Sequence, residues 1–84
     1  MTLDNSYIYK ELEKIFRIIL DNNKISLNKD TTAKKIKAWD SLAHINIILS
    51  IEKHFNFRFS PEEIYNFKKI EDLVNTISKN INGT

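Results

Sequence analysis

Apolar residues recur along the chain at spacings of three and four, the rhythm of helices with one buried face. In the first segment this rhythm joins five residues: Ile8, Leu12, Ile15, Phe16 and Ile19. Three further segments follow with helical spacing or helix start signals. The pattern predicts four helices, at about residues 6–20, 41–55, 61–66 and 70–80.

The third helix has the clearest start signal. Ser60 is placed to cap it, Pro61 to occupy its first position, and Glu63 to close a capping box. The fourth helix lacks such a signal, because Lys68 and Lys69 stand where a short polar cap residue is expected. Lysines at this end also oppose the helix dipole, and no local pattern explains them.

The segment between the first two helices, residues 21–40, has no sustained hydrophobic period. It mixes Asn, Asp, Thr and Lys with four spaced apolar residues, Ile25, Leu27, Ile36 and Trp39. Loops longer than about 12 to 15 residues are uncommon in compact domains and tend to be functional or disordered. The spaced apolar residues predict a loop pinned across the bundle, with Trp39 as an anchor rather than a substrate contact.

The composition favours a small helical protein, since one glycine and one proline are too few for the tight turns of an all-β domain. We expect residues 1–84 to form a single all-α domain, a small four-helix bundle with a long first loop and a short third helix.

The chain contains no cysteine, which excludes disulfides, thiolate metal sites and cysteine catalysis and fits a reducing compartment. No apolar run is long enough to span a membrane. We therefore expect a soluble, cytoplasmic monomer.

The formal net charge of +2 is small. The densest basic cluster, Lys34, Lys35 and Lys37, contains no arginine and no interleaved aromatic residue, which makes it a weak nucleic-acid signal. A solvated loop face is the simpler interpretation, and a basic helical module that binds nucleic acid is the alternative from a different class.

The two histidines, His44 and His54, lack metal-ligand partners at a suitable spacing, so we expect no metal site.

The second helix is apolar on two faces. On a wheel of about 100° per residue, a stripe at roughly 140° to 240° from Leu42 is predicted to face the core. The members of this stripe are Ile47, Ile48, Ile51 and Phe55. Leu42 and Leu49 lie within about 20° of each other on the opposite side, with Ile45 at about 300°. A domain this small cannot bury both faces, so Leu42 and Leu49 either contact a partner or are ordinary exposed leucines.

Ser41, at the start of the second helix, admits three interpretations. As a nucleophile it would use His44 as a base, but the chain has no Gly-x-Ser-x-Gly elbow and no nearby glycine to open an oxyanion hole. As plain structure, it would occupy the first turn behind Asp40 as the N-cap. As an attachment point, its hydroxyl would project where backbone N–H groups and the helix dipole favour a phosphodiester by roughly 0.3 to 1 kcal/mol.

Several segments resemble the acyl carrier proteins and the related peptidyl and aminoacyl carriers. They are the tripeptide DSL at 40–42, the apolar helix that continues to Phe55, and the segment FRFSPEEI at 57–64. The segment IEDLV at 70–74 looks like the family's last helix, and the loop at 21–40 looks like its first connection. The tripeptide alone is weak, whereas motif, helix order and spacing together are specific. The similarity covers nearly the whole chain and implies a bundle of the acyl-carrier-protein type.

The resemblance implies that a phosphopantetheinyl transferase, using coenzyme A and Mg²⁺, attaches a 4'-phosphopantetheine arm to Ser41. The thiol of the arm would hold an acyl or aminoacyl group as a thioester for loading and transferring enzymes, so that the chain is a carrier and not an enzyme. Asp40 would help to engage the transferase and its metal, and Leu42, Leu49 and Ile45 would contact partners. Four residues would line the core, some of them beside a cavity for the tethered group: Ile45, Ile48, Ile51 and Phe55.

Two features depart from the family pattern. Many relatives have a glycine two residues before the Asp-Ser pair, whereas Ala38 and Trp39 precede Asp40 here. Carriers of housekeeping fatty acid synthesis usually present a strongly acidic second helix to basic partner patches, but residues 41–56 contain one carboxylate, Glu52. Weak electrostatic complementarity with such partners predicts a specialised carrier with dedicated partners. An aminoacyl or peptidyl carrier is the alternative within the class, since the sequence does not identify the cargo.

Overall fold

Four helices form the fold in a computed structural model of the chain, which describes residues 5–36, 38–67 and 69–82. They are α1 (Asn5–Ile19), α2 (Ser41–Phe55), α3 (Pro61–Asn66) and α4 (Ile70–Ile81). Compared with the predicted bounds, α1 begins and ends one residue earlier and α4 ends one residue later. Within the described ranges, β pairing is limited to an isolated bridge between Thr32 and Lys69. The predicted all-α class is confirmed.

The core lies where α1 packs against α2 and α4. Its fully buried side chains are Phe16, Ile8, Leu12, Ile47, Ile51, Ile70, Leu73, Ile77 and Val74. The core stripe predicted for α2 is confirmed for Ile47, Ile48 and Ile51, whereas Phe55 is half-buried. Among the described helices, none is both long enough and apolar enough to cross a membrane.

Ile45 does not belong to this core. Its side chain is 55% exposed, so the expectation that it lines the core is wrong. The physical reason is its position at about 300° on the helix wheel, outside the arc that faces the bundle. Ile45 instead lies on the outer side of α2.

The long first loop packs against the helices through the apolar side chains spaced along it. Ile25, Leu27 and Trp39 are buried, and Ile36 is half-buried. Burial of apolar surface is worth about 25 cal/mol per Å², and this gain opposes the entropy cost of ordering a long connection. The prediction of a pinned loop, with Trp39 as an anchor, is confirmed.

Two polar side chains of α1 hold the first part of this loop. Nε of Arg17 donates a hydrogen bond to the carbonyl of Ile25 at 2.8 Å. The N–H of Leu27 donates one to Oε2 of Glu13 at 2.9 Å. Glu13 and Arg17 also form an i, i+4 ion pair at 3.8 Å, so one charged pair supports both the helix and the loop.

The N-terminus of α4 is capped by backbone carbonyls of the first loop. The N–H of Ile70 donates to the carbonyl of Thr31 at 2.8 Å, and the N–H of Glu71 donates to the carbonyl of Lys29 at 3.2 Å. The first N–H groups of a helix have no acceptor within the helix, and these two find acceptors in a distant part of the chain. These two acceptors lie far away in the sequence, which explains why local sequence patterns near Ile70 do not reveal them.

Lys69, the N-cap residue of α4, is held by acidic side chains of the first turn. Its N–H donates to Oδ2 of Asp72 at 3.2 Å, and its Nζ pairs with Oε1 of Glu71 at 3.3 Å. Two carboxylates at the positive end of the helix offset the unfavourable charge of the lysine. Lys68, the other lysine at this start, lies outside the described residues.

Glu11 is a buried carboxylate that joins α1 to the end of α2. Its Oε2 accepts a hydrogen bond from Nζ of Lys14 at 3.1 Å, and its Oε1 lies 2.8 Å from Nε2 of His54. The hydrogen bond from Lys14 lowers the pKa of Glu11, burial acts in the opposite direction, and His54 adds to the lowering. The net effect is a pKa below the ordinary value of 4.5.

Glu11→Gln should remove a pH-dependent part of the stability. A carboxyl group whose pKa is lower in the folded chain stabilises the fold above its unfolded pKa, and this contribution is lost as the pH falls through the folded pKa. We expect the variant to unfold at a lower urea concentration than the native chain at neutral pH. The difference should shrink below pH 4.5, the unperturbed pKa of a glutamate, and close once Glu11 is protonated.

Glu62→Gln, at an exposed position of α3, is the matched control and should change the urea midpoint much less at neutral pH. The two midpoints are measured by circular dichroism across the acid range. A difference between native and Glu11→Gln chains that is equally large in acid and at neutral pH would contradict the assignment.

Candidate functional site

Ser41 is the first residue of α2, and its side chain is exposed. The helix starts here because Asp40 acts as its N-cap, with an extended backbone at φ −95° and ψ −173°. Oδ1 of Asp40 accepts a hydrogen bond from the N–H of Ala43 at 2.9 Å. The carbonyl of Asp40 accepts one from the N–H of His44 at 2.9 Å. The cap is therefore supplied by Asp40, and the Ser41 hydroxyl is not required for it.

The first turn of α2 retains hydrogen-bonding capacity beside Ser41. Of its first four N–H groups, those of Ala43 and His44 are satisfied by Asp40, as described above. The N–H groups of Ser41 and Leu42 precede the first intrahelical acceptor and remain for solvent or an anion. An anionic group attached to Ser41 would thus lie at the positive end of the α2 dipole.

Trp39 and His44 form a polar contact next to this helix start. Nε1 of Trp39 donates a hydrogen bond to Nδ1 of His44 at 3.1 Å, and the two ring planes are inclined by 25°. The indole is itself held edge-on against Phe16 of the core, with ring centroids 4.9 Å apart. Trp39 therefore anchors the loop and also fixes the orientation of the His44 ring.

The hydrogen bond from Trp39 determines the tautomer of His44. An indole N–H can only donate, so Nδ1 of His44 must be the unprotonated acceptor and the ring proton of the neutral imidazole is on Nε2. In this state the imidazole offers a donor and cannot take a proton from Ser41 through Nε2. The interpretation of Ser41 and His44 as a nucleophile and its base therefore fails.

The described residues contain no group of three or more His, Cys, Asp or Glu side chains that could hold a metal ion. His44 contacts Trp39 at the start of α2, and His54 contacts Glu11 at its end. Each histidine is thus occupied with a different neighbour.

An open groove of about 540 Å³ lies beside Ser41. It runs between the start of α2 and the end of α3, and its lining is mostly apolar or aromatic. The lining residues are Ala33, Trp39, Asp40, Ser41, His44, Ile45, Ile64, Tyr65 and Phe67. Four residues were expected to line the core, some of them beside a cavity for a tethered group; of these, Ile45 lines this groove.

Sequence reasoning missed two parts of this groove. Ile64, Tyr65 and Phe67 line the groove and Tyr65 is 89% exposed, but the sequence did not single them out as site residues. The contact between Trp39 and His44 was also missed. In the sequence, this contact is indicated by an aromatic residue directly before the N-cap and a histidine in the first turn of the helix.

The outer face of α2 is apolar and nearly uncharged. Leu42 is 69% exposed and Leu49 is 57% exposed, and Ile45 lies beside them. The single carboxylate of α2, on Glu52, accepts a hydrogen bond from the N–H of Phe59 at 2.8 Å and so points to its own chain. Lys53 is exposed near the end of the helix.

The part of the chain that carries this site matches a protein-family model. Residues 38–77, which run from just before the Asp40 cap into α4, match the model described as "Phosphopantetheine attachment site".

Three curated relatives are similar over most of this chain, and each is named acyl carrier protein. The relative from Phytoplasma australiense is 33% identical over 75 residues, which cover 83% of this chain and 96% of the relative. The relative from Rickettsia bellii is 33% identical over 70 residues, covering 80% of this chain and 81% of the relative. The relative from Coprothermobacter proteolyticus is 27% identical over 81 residues, covering 94% and 96% respectively.

A solved structure is similar in fold and sequence. The solution structure of a holo acyl carrier protein from Geobacter metallireducens superposes with a TM-score of 0.84 at 36% identity. The match covers 89% of this chain and 86% of that protein.

Asp40→Ala should destabilise the chain by about 0.5 to 2 kcal/mol, because it leaves the Ala43 N–H without its cap acceptor. Asp40→Asn keeps a side-chain oxygen that can accept this hydrogen bond and should retain most of the stability. Urea unfolding at neutral pH measures both changes. Equal losses in the two variants would show that the charge of Asp40, and not its capping hydrogen bond, stabilises the helix start.

Proposed function

Because the chain belongs to the acyl carrier protein family, we propose that Ser41 is the residue that carries its 4'-phosphopantetheine prosthetic group. Members of this family are carriers and not enzymes. The observation that carries the assignment of Ser41 is its exposed hydroxyl at the first residue of α2, next to a cap that does not use it.

The other serines within the family-model match are poorer candidates. Ser50 lies in the middle of α2 and is half-buried. Ser60 caps α3, and its Oγ accepts a hydrogen bond from the N–H of Glu63 at 3.1 Å. Ser41 combines exposure with a hydroxyl that has no structural task, so a transferase can reach it without unfolding a helix end.

The residues around Ser41 fit a covalently attached phosphodiester. Two N–H groups of the first turn are available, and the groove offers an apolar surface next to the attachment point. When attached, the arm supplies a thiol that holds an acyl or aminoacyl group as a thioester. Asp40 keeps one carboxylate oxygen outside its capping bond, which supports the role expected for it toward the transferase and its Mg²⁺.

Incubation with coenzyme A, Mg²⁺ and a broad-specificity phosphopantetheinyl transferase should increase the intact mass of the purified chain by one phosphopantetheine group. Ser41→Ala should abolish the increase, and Ser50→Ala is the matched control that should still accept the group. Asp40→Asn, which preserves the cap, should be modified more slowly if the carboxylate engages the transferase. No mass increase in the native chain, or an increase that persists in Ser41→Ala, would reject the assignment.

We further propose a specialised pathway with dedicated partner enzymes. Leu42, Leu49 and Ile45 form the expected partner surface, and their exposure supports this role. The cation Lys53 lies about 20° from Leu42 on the wheel, and the carboxylate of Glu52, about 20° from Ile45, accepts the N–H of Phe59. Such a surface suits a partner with an apolar patch and does not attract one with a basic patch.

Other expectations about partners and location stay predictions. Lys34 and Lys35 are exposed in a short 3₁₀ helix, Ala33–Lys35, and Lys37 lies outside the described residues, so the simpler interpretation of a solvated loop face is kept. We do not propose nucleic acid as a partner. The monomeric state and the cytoplasmic location remain as predicted from the sequence.

The double variant Asn46→Glu, Lys53→Glu should bind an enzyme of housekeeping fatty acid synthesis faster than the native chain does. It places two carboxylates on the outer face of α2, and electrostatic steering raises association rates by about 10-fold or more at low salt. Asn75→Glu, Lys79→Glu, at exposed positions of α4, is the control with the same charge change. The association rates of the native chain and both double variants with this enzyme are measured at low and at high salt. A native chain that binds such an enzyme as fast as that enzyme's own acidic carrier would refute the specialised assignment.

A further inference from the structure

We propose that His44 positions the arm by donating a hydrogen bond from Nε2 to a phosphate oxygen of the phosphodiester on Ser41. This inference rests on the attachment site proposed above. It assigns to His44 a positioning role, separate from any part in the chemistry of the thioester.

The first argument is the placement of the ring. Residues three apart on a helix are neighbours on one face, and helical side chains lean toward the N-terminus. His44 follows this rule, because its ring reaches back to Trp39, which precedes the helix. His44 and Ser41 line the same groove, so the imidazole lies beside the attachment point.

The second argument is the protonation pattern of the ring. Nδ1 of His44 accepts the hydrogen bond from Trp39, which leaves Nε2 as the protonated nitrogen in the neutral ring. A phosphodiester oxygen only accepts. The contact with Trp39 therefore selects the tautomer that a phosphate needs, and it does so without a charge on the ring.

The third argument is rigidity. Trp39 is 8% exposed and packs edge-on against Phe16, which is fully buried. A ring held by such a neighbour loses little further freedom when it binds an oxygen, so the hydrogen bond costs little conformational entropy. Asp40 also lines the groove, and its negative charge repels a phosphate; a hydrogen bond donated by His44 offsets this repulsion.

A thermodynamic cycle that combines arm attachment with a change of residue 44 tests the proposal. The native chain and His44→Leu are each prepared with and without the arm, and the unfolding equilibrium constant of all four forms is measured in urea. Attachment should lower this constant by about three- to tenfold more in the native chain than in His44→Leu, the effect of one net hydrogen bond. His44→Gln, which keeps a side-chain N–H donor, should recover part of the difference.

A ³¹P NMR spectrum gives a readout that a merely structural role would not change. The phosphodiester resonance of the native chain should differ from that of His44→Leu, and that of Trp39→Phe should lie between them because the tautomer is no longer selected. His54→Gln, at the other end of α2, is the control and should leave the resonance in place.

The outcomes separate this inference from the proposed function. An intact mass that does not increase overturns both. An attached arm with no coupling to residue 44 in the cycle, together with a resonance unmoved in His44→Leu, overturns the role of His44 and leaves Ser41 as the attachment site.

Discussion

The hydrogen bond from the Ala43 N–H to the Asp40 carboxylate fixes where α2 begins, and the site depends on that start. Were the helix to begin one residue later, Ser41 would be the N-cap and its hydroxyl would turn back to the backbone. Ser60 shows this alternative within the same chain, because its Oγ accepts the N–H of Glu63 at the start of α3. The capping bond of Asp40 thus leaves the Ser41 hydroxyl available for attachment, whereas the Ser60 hydroxyl serves as a helix cap.

Local signals in the sequence were sufficient for much of the architecture. The capping box of Ser60 and Glu63 is complete, since both of its hydrogen bonds join residues three apart. The exposure of Leu42 and Leu49 also followed from helical phase alone. The family resemblance implied a core position for Ile45, whereas its angle on the wheel placed it outside the core stripe, and burial followed the angle.

Features that join distant residues could not be predicted in the same way. The start of α4 receives its acceptors from Lys29 and Thr31, and no pattern near Ile70 records this. The contact between Trp39 and His44 depends on side-chain rotamers across a helix boundary, which hydrophobic periodicity does not describe. The groove beside Ser41 likewise needs α3 to approach α2, and this approach is a property of the packed chain.

The capping of α4 by the first loop makes two distant parts of the chain one cooperative unit. If the loop detached, Ile70 and Glu71 would lose their acceptors and the first turn of α4 would open with it. Exchange of their amide protons with solvent would then require an opening that also releases Thr31 and Lys29. Long connections tend to be functional or disordered, but here the backbone of the loop completes the start of a helix while the same loop leads into α2 and Ser41.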